Sequence, residues 1–245
     1  MEAFMLLRLD KILSDSGLVS RRDAARLIKH GRVTADGVPV TAADRKYDPE
    51  TARIAVDGAA LSYQPHHYFM MNKPAGVVSA TEDAREETVL SLLRGRDADL
   101  SLFPAGRLDK DAEGLLLLTD DGSFAHSVIS PSKKVDKTYF VRTDAPFDAD
   151  DAAAFERGVT LGDGTRCRPA RLELLPGDSS ETLVTLREGR YHQVKRMAAA
   201  RGKRVVYLKR VKIGGLRLDE SLKPGEYRAL TAAEILSVLQ NSAEK

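Results

Sequence analysis

The sequence contains a single cysteine, Cys167, among its 245 residues. One cysteine excludes an internal disulfide and every zinc site built on cysteine pairs, and it fits a protein kept in a reducing compartment. The chain also lacks a GxxxxGK phosphate loop, an HExxH metal pair and a GxSxG elbow. We therefore expect chemistry that needs no metal, bound nucleotide or other cofactor.

Long apolar runs are absent as well. No stretch approaches the ~20 apolar residues of a membrane-spanning helix, and the N-terminal MEAFMLLRLDKIL carries charges where a signal peptide is apolar. The hydrophobic content of 42% still allows a packed core in a chain of this length. The sequence predicts a soluble, cytoplasmic protein without a membrane partner. Because it shows no heptad pattern or sustained apolar stripe, we expect a monomer.

Positive charge is concentrated in one segment, although the net charge is only +2. Between Arg187 and Arg217 there are eleven lysines and arginines and one acid, Glu188. If these side chains lie on one side of the fold, they form a surface that binds a polyanion.

The first segment, residues 1–60, predicts two short helices followed by a hairpin. Ser20 and Asp23 begin the second helix as a capping box. Asp36-Gly37 between two short apolar runs is typical of a two-residue hairpin turn. The second helix carries basic residues on one face, which fits either a solvated face or contact with RNA.

The stretch PAGRLDKDAEGLLLLTDDG, residues 104–122, places a charged cluster just ahead of a short apolar run. The run Leu115 to Leu118 predicts a buried strand. Gly106 and Gly114 bracket the cluster, which allows a tight turn or the close approach of a ligand. From spacing alone the cluster is either a catalytic site or a solvated turn.

The remainder of the chain predicts a second, larger domain. The short polar text of residues 61–67 predicts a linker, so this domain spans residues 68–245. Lys137 to Val141 alternates as a strand, and EGRYHQVKRM, from Glu188, begins a helix that continues through Ala200. Strands and helices without a regular strand-helix repeat indicate an α+β fold with a mainly antiparallel sheet.

Several of these motifs resemble one family. GRLDKDAEGLLLLTDDG resembles the aspartate motif of the RsuA-type ribosomal small-subunit pseudouridine synthases, and NKPAGVVSAT, KTY and EGRYHQVKRM resemble its other motifs. The resemblance implies that Asp109 is the catalytic aspartate, that Tyr139 stacks on the target uracil and that Lys195 pairs with the catalytic carboxylate. Lys73, in the NKPAG string, is either structural or a ligand of RNA phosphate.

The first segment resembles a second family. SRRDAARLIKHGRVTADGVPV is similar to the S4-type RNA-binding module, which implies a small N-terminal S4-like domain in front of a pseudouridine synthase domain. Phosphate contacts position RNA without reading its sequence. The residues expected to contact RNA are Arg21, Arg22, Arg26, Lys29, Arg32, Arg107, Arg190 and Arg196.

The resemblance implies isomerisation of one uridine of 16S rRNA, free or within a small-subunit assembly intermediate. Large-subunit (23S) rRNA is the alternative substrate, because motifs do not record the shape that RNA specificity often depends on. A non-catalytic S4-type ribosome-assembly factor is the alternative from another class, and it would not need Asp109. A hydrolase with Asp109 and Asp111 as paired carboxylates would normally need a metal or a nearby histidine.

Overall fold

The computed structural model describes residues 6–49, 51–61, 63, 66–177 and 180–240. These residues form two compact units that divide between His66 and His67. Residues 62, 64 and 65 of the predicted linker lie outside the described residues. His67 belongs to the second unit, where its Nδ1 lies 2.7 Å from the Asp120 carboxylate. Within the described residues, no helix has the length and apolar character needed to cross a bilayer.

The first unit packs two helices against short antiparallel strands. Its elements are β1 (Leu7–Arg8), α1 (Leu9–Asp15), α2 (Arg21–Lys29), β2 (Val33–Ala35), β3 (Val38–Pro39), β4 (Lys46–Tyr47), β5 (Ile54–Val56) and β6 (Ala59–Ala60). Ser20 caps α2, since its hydroxyl oxygen accepts a hydrogen bond from the Asp23 amide at 3.2 Å. The turn between β2 and β3 is the predicted Asp36-Gly37 hairpin, with both residues at positive φ.

The second unit is built on one large sheet. Its strands are β7 (Tyr68–Lys73), β8 (Phe103–Pro104), β9 (Glu113–Thr119), β10 (Lys137–Thr143), β11 (Arg171–Leu174), β12 (Glu181–Leu186), β13 (Val205–Ile213), β14 (Leu216–Arg217) and β15 (Tyr227–Ala229). Its helices are α3 (Gly122–Ile129), α4 (Ala149–Arg157), α5 (Gln193–Ala200) and α6 (Ala232–Val238), and Val89–Leu92 and Gly95–Asp99 form short 3₁₀ helices.

The strand order is β11-β12-β10-β13-β9-β7-β15, with β14 on β13 and β8 on β9. Every pairing in this sheet is antiparallel except that of β13 with β9. The predicted mainly antiparallel α+β architecture is confirmed.

Strand β9 is covered on both faces, which explains its uninterrupted run of leucines. Leu116 and Leu118 pack in one hydrophobic cluster, and Leu115 and Leu117 pack in another on the opposite face. The sheet around β10 is covered on one side only. Its other side borders an open cavity of about 1030 Å³ lined by alternate residues of β10, β12 and β13.

Helix α5 begins later than the sequence predicts. The pattern places its start near Glu188, but the helix starts at Gln193, because His192 has a left-handed backbone with φ 49°. A residue in that conformation cannot lie inside a right-handed helix. Residues 188–192 therefore form a turn.

Candidate active site

Asp109 lies in the loop between β8 and β9. Both backbone groups of the preceding residue, Leu108, form hydrogen bonds. The Ser79 hydroxyl donates to the Leu108 carbonyl at 3.0 Å and accepts from the Leu108 amide at 3.1 Å. The Ala112 amide donates to the Asp109 carbonyl at 3.1 Å and closes the turn. A carboxylate on a loop held in this way has a defined position, as a reacting group requires.

The buried side chain of Lys73 also holds the loop that carries Asp109. Its side chain is fully buried, and its ammonium donates to the Ala112 carbonyl at 2.8 Å, the Pro74 carbonyl at 2.9 Å and the Lys110 carbonyl at 3.3 Å. Burial lowers the pKa of Lys73 to about 8, against the opposing pull of nearby acids. Because the ammonium does not reach the surface and its donors are used on backbone, Lys73 is structural and is not a phosphate ligand.

Lys195 brings a cation to Asp109 from helix α5. Its Nζ lies 3.1 Å from Asp109 Oδ2 and 2.5 Å from Asp111 Oδ1. Partial burial opposes the charge of Lys195, but its hydrogen bonds to Asp111 and Asp109 outweigh that effect and raise its pKa. The hydrogen bond from Lys195 lowers the pKa of Asp111. The structure thus places Lys195 beside Asp109, and the ammonium is shared between two carboxylates.

His192 also lies close to Asp109, and no motif in the sequence predicts this. Its Nε2 lies 3.8 Å from Asp109 Oδ1. The left-handed backbone at His192 directs the ring, and a non-glycine residue in that region is uncommon outside turns and functional sites. The sequence carries no local signal for this conformation.

Tyr139 lies on β10, directly opposite Arg210 of β13. The Tyr139 side chain is buried, at 8% exposure, and the Arg210 guanidinium carbon lies 5.9 Å from its ring centroid. Tyr139 belongs to the same buried cluster as Leu108, the neighbour of Asp109. The register of β10 with β13 therefore places the Arg210 guanidinium over the Tyr139 ring.

Arg210 connects the strand of Tyr139 to the aspartate loop, a role that its place in a run of basic residues does not predict. The side chain is 2% exposed. Its Nε donates to the Leu115 carbonyl at 2.7 Å, and its Nη1 donates to the Arg107 carbonyl at 3.3 Å. Its Nη2 is buried and has no hydrogen-bond partner among the described residues. Arg210 therefore positions the loop, and within the described residues its Nη2 nitrogen remains without a partner.

Gly114 allows the backbone of β13 to lie close to that of β9. A Cβ at this position would lie 2.3 Å from the Arg210 carbonyl oxygen, and its φ is +100°. The sequence suggests a tight turn or the approach of a ligand at Gly114, but the group that approaches is the backbone of β13.

The basic segment 187–217 does not form the single surface that its sequence suggests. Arg210 is buried, and many of the other cations bind acids from distant parts of the chain. The ion pairs with distant acids are Arg187–Asp136, Arg196–Asp163, Arg201–Asp151, Lys203–Asp151 and Arg204–Asp144. Arg190 pairs within the segment, with Glu188. Lys209, Lys212 and Arg217 line the open cavity on the side of the sheet that carries Thr138 and Phe140.

The other cations of the aspartate loop point away from Asp109 or remain exposed. Lys110 Nζ pairs with Glu86 at 2.6 Å. The Arg107 side chain is exposed, and within the described residues Asp109 pairs with His192 and Lys195 and not with Arg107. Arg107 therefore faces solvent, where an RNA strand can reach it.

In the first unit, all five predicted RNA contacts are exposed, namely Arg21, Arg22, Arg26, Lys29 and Arg32. Three of them pair with acids of the same unit: Arg21 with Asp10, Arg26 with Asp23 and Arg32 with Asp57. Within the described residues, Arg22 and Lys29 form no ion pair, which leaves them the most available for phosphate.

Cys167 is buried, and burial raises the pKa of its thiol. A thiol held protonated is a poor nucleophile. In the part of the chain that the structure describes, no group of three or more His, Cys, Asp or Glu side chains is placed to hold a metal ion.

Comparison with known proteins gives a consistent result. Residues 67–200 match the RNA pseudouridylate synthase family, and residues 7–51 match the S4 domain. An RNA pseudouridine synthase of Bacillus subtilis, described as uncharacterised, is 46% identical over 231 residues, which cover 94% of this chain and 97% of that protein. Ribosomal small subunit pseudouridine synthase A of Escherichia coli is 45% identical over 235 residues, covering 95% and 100%.

A crystal structure of a pseudouridylate synthase has a similar fold. It superposes with a TM-score of 0.66 at 40% identity and covers 95% of this chain and 99% of that chain. These matches define an RNA-modifying isomerase with a separate RNA-binding domain. The chain belongs to the RNA pseudouridylate synthase family. The resemblance carried by the motifs in the sequence is confirmed.

Proposed function

We propose that the protein converts one uridine of small-subunit rRNA to pseudouridine, with Asp109 as the group that acts on the sugar. The observation that carries the proposal is the Lys195 ammonium 3.1 Å from the carboxylate of Asp109. The small-subunit substrate rests on the relatives named for it, such as that of Escherichia coli.

The reaction breaks the bond between uracil N1 and ribose C1′ and forms a bond between C5 and C1′. C5 then loses its proton and N1 gains one, so that nothing is added or lost overall. Asp109 acts either as nucleophile at C1′ or as base at C2′. Both routes need an oriented carboxylate, and the hydrogen bond from the Lys195 ammonium orients that of Asp109. Lys195 supplies the charge, and the bonds of Ser79 and Lys73 hold the loop still.

Tyr139 is proposed as the residue that stacks on the uracil and takes part in the proton transfer at C5. A base that leaves its stack loses a few kcal/mol, and an aromatic ring offsets part of that loss. Tyr139→Phe tests the second role. We expect it to keep RNA affinity and lose turnover, whereas equal turnover would assign Tyr139 to stacking alone.

RNA binding is divided between two surfaces in this proposal. The domain of residues 1–60 anchors the RNA, the linker of residues 61–67 joins the domains, and Arg107, Arg190 and Arg196 hold the strand near the catalytic domain of residues 68–245. The double variant Arg22→Ala/Lys29→Ala should weaken binding, reduce the salt dependence of affinity by about two counterions, and leave the chemical step unchanged. Unchanged affinity would contradict this division.

The reaction is placed in the cytoplasm, and the protein is proposed to act as a monomer. The single cysteine supports a reducing compartment. Sedimentation at micromolar concentration tests the oligomeric state, and a dimer would contradict the proposed monomer.

The decisive experiment measures tritium release from 16S rRNA transcripts that carry tritium at uracil C5. We compare the intact protein with Asp109→Asn, and we use Asp111→Asn as the matched control because it removes the other carboxylate bound to Lys195. Release by the intact protein and by Asp111→Asn, but not by Asp109→Asn, is expected. Release by Asp109→Asn at the normal rate would refute the role of Asp109.

A further inference from the structure

The ring of Tyr191 is unusually exposed for an aromatic side chain. At 77% exposure, it is the most exposed large apolar residue among the described residues, and the other exposed large apolar residues are aliphatic. A single exposed ring is ordinary on a protein surface. Its meaning depends on what holds it and what lies beside it.

Tyr191 is held by stacking on His192. The two ring centroids are 3.8 Å apart, with an angle of 17° between the planes. One face of the Tyr191 ring therefore contacts imidazole, and the high exposure of the residue leaves the other face to solvent. Two χ angles fixed in this way leave little conformational entropy to lose when a ligand binds.

The turn that carries both rings is fixed by buried hydrogen bonds. The Arg190 amide donates to Gln193 Oε1 at 2.9 Å, and Gln193 Nε2 donates to Glu188 Oε1 at 2.7 Å. Gln193 and Glu188 are both buried. This network supports the left-handed backbone of His192, so the position of the Tyr191 ring is built into the fold.

The stacked pair lies next to the reacting group. His192 Nε2 is 3.8 Å from Asp109 Oδ1, so Tyr191 is separated from the catalytic carboxylate by one aromatic ring. When a uridine leaves its stack to bring C1′ to Asp109, the adjacent bases lose a stacking partner. An open aromatic face at this distance offers them a replacement.

We propose that Tyr191 is a stacking platform for a nucleobase adjacent to the target uridine. The inference rests on the proposed function, because it takes Asp109 as the point where the target sugar lies. Every base has a π face, so the platform contributes affinity and strand position without selecting a base. The neighbouring cation Arg190 is suited to phosphate, whereas the neutral ring is suited to a base.

The test compares Tyr191→Ala, Tyr191→Leu and Tyr191→Phe in the full-length protein. The probe is a 16S rRNA transcript, and the dissociation constant is measured by filter binding over a range of salt. We expect the alanine variant to bind roughly five- to hundredfold more weakly. Phenylalanine should restore binding, and leucine should restore little of it because it has bulk but no π face.

Two further readouts separate stacking from a structural or electrostatic role. The slope of log Kd against log salt should stay unchanged in Tyr191→Ala, since no phosphate contact is lost. A 2-aminopurine placed beside the modified uridine should be quenched on binding by the intact protein and by Tyr191→Phe, and not by Tyr191→Ala. A Kd for Tyr191→Ala within twofold of the intact protein would overturn the platform.

Tritium release by the intact protein, measured on the same transcripts, reports the proposed function independently. Release together with equal binding by Tyr191→Ala and the intact protein would refute the platform and leave the function standing. No release from any rRNA, together with a large loss of binding in Tyr191→Ala, would support a base contact and refute the assignment of the substrate.

Discussion

Replacing Lys195 by methionine tests the electrostatic basis of the site. The change removes the ammonium and keeps a long apolar side chain in its place. The change removes the ammonium's contacts with both Asp109 and Asp111. The contact that bears on the reaction is the charged hydrogen bond of 3.1 Å to Asp109, where both side chains are about one-fifth exposed. Hydrogen bonds to charged groups contribute about 1.5–3 kcal/mol. If the bond holds Asp109 for reaction, the single-turnover rate should fall about 10- to 150-fold.

Two other variants serve as controls for this change. Asp111→Asn removes the second carboxylate that binds Lys195. The Asp111 side chain is 74% exposed. Ion pairs so open to water contribute little, so we expect a change of a few-fold at most. Lys195→Arg keeps the positive charge and should retain more activity than Lys195→Met.

The assay is tritium release with enzyme in excess over 16S rRNA, at fixed ionic strength and with RNA binding saturated. Saturation separates the loss of the Asp109 contact from weaker RNA binding. A Lys195→Met rate within twofold of the intact enzyme would refute the reasoning. A loss in Asp111→Asn as large as that in Lys195→Met would mean that Asp111, and not Asp109, is the partner that matters.

Three further predictions concern the support of the site. Arg210→Met leaves the buried Leu115 carbonyl without its donor and should lower the free energy of unfolding by about 1–3 kcal/mol, measured by urea denaturation. Lys73 has a pKa of about 8 in the folded protein, below its unfolded value of about 10.4. The unfolded state therefore binds more protons between these values, and the stability of the intact protein relative to Lys73→Met should rise from pH 8 to pH 10; a flat difference would contradict this. Gly114→Ala should destabilise more than Gly106→Ala in the same urea assay, by about 1–3 kcal/mol. Both positions have φ near +100°, but a Cβ at Gly106 would meet only a side-chain carbon at 3.8 Å. Equal losses of stability in the two variants would show that the close contact with β13 is not the cause of the destabilisation.

Local sequence predicts the parts of this structure that depend on neighbouring residues. Ser20 caps α2, Asp36-Gly37 forms a hairpin, and the run after Asp109 is a strand buried on both faces. In each case the signal is a side chain or a backbone preference acting within a few residues. The particular residues of the aspartate motif also indicate the family, which the spacing of charged and apolar residues alone does not.

The environment of the basic segment could not be predicted in this way. The acids that neutralise it, among them Asp136, Asp151 and Asp163, lie tens of residues away in the sequence and reach it only through the tertiary fold. The conformation of His192 is equally invisible, because a left-handed residue at the start of a helix depends on the buried contacts of Gln193.

The position of Arg210 depends on an irregularity in the sheet. Tyr139 pairs with Arg210, but the preceding residue of β10, Thr138, pairs with Lys212, so β13 carries one extra residue, Val211. In a regular strand, residues 210 and 212 face the same side. The extra residue allows Lys212 to line the open cavity while Arg210 turns inward, over Tyr139. Bulges of this kind re-aim side chains and are frequent beside active sites. The contacts of Arg210 with Tyr139 and with the aspartate loop therefore depend on strand register, and a search for charged residues in the sequence cannot find them.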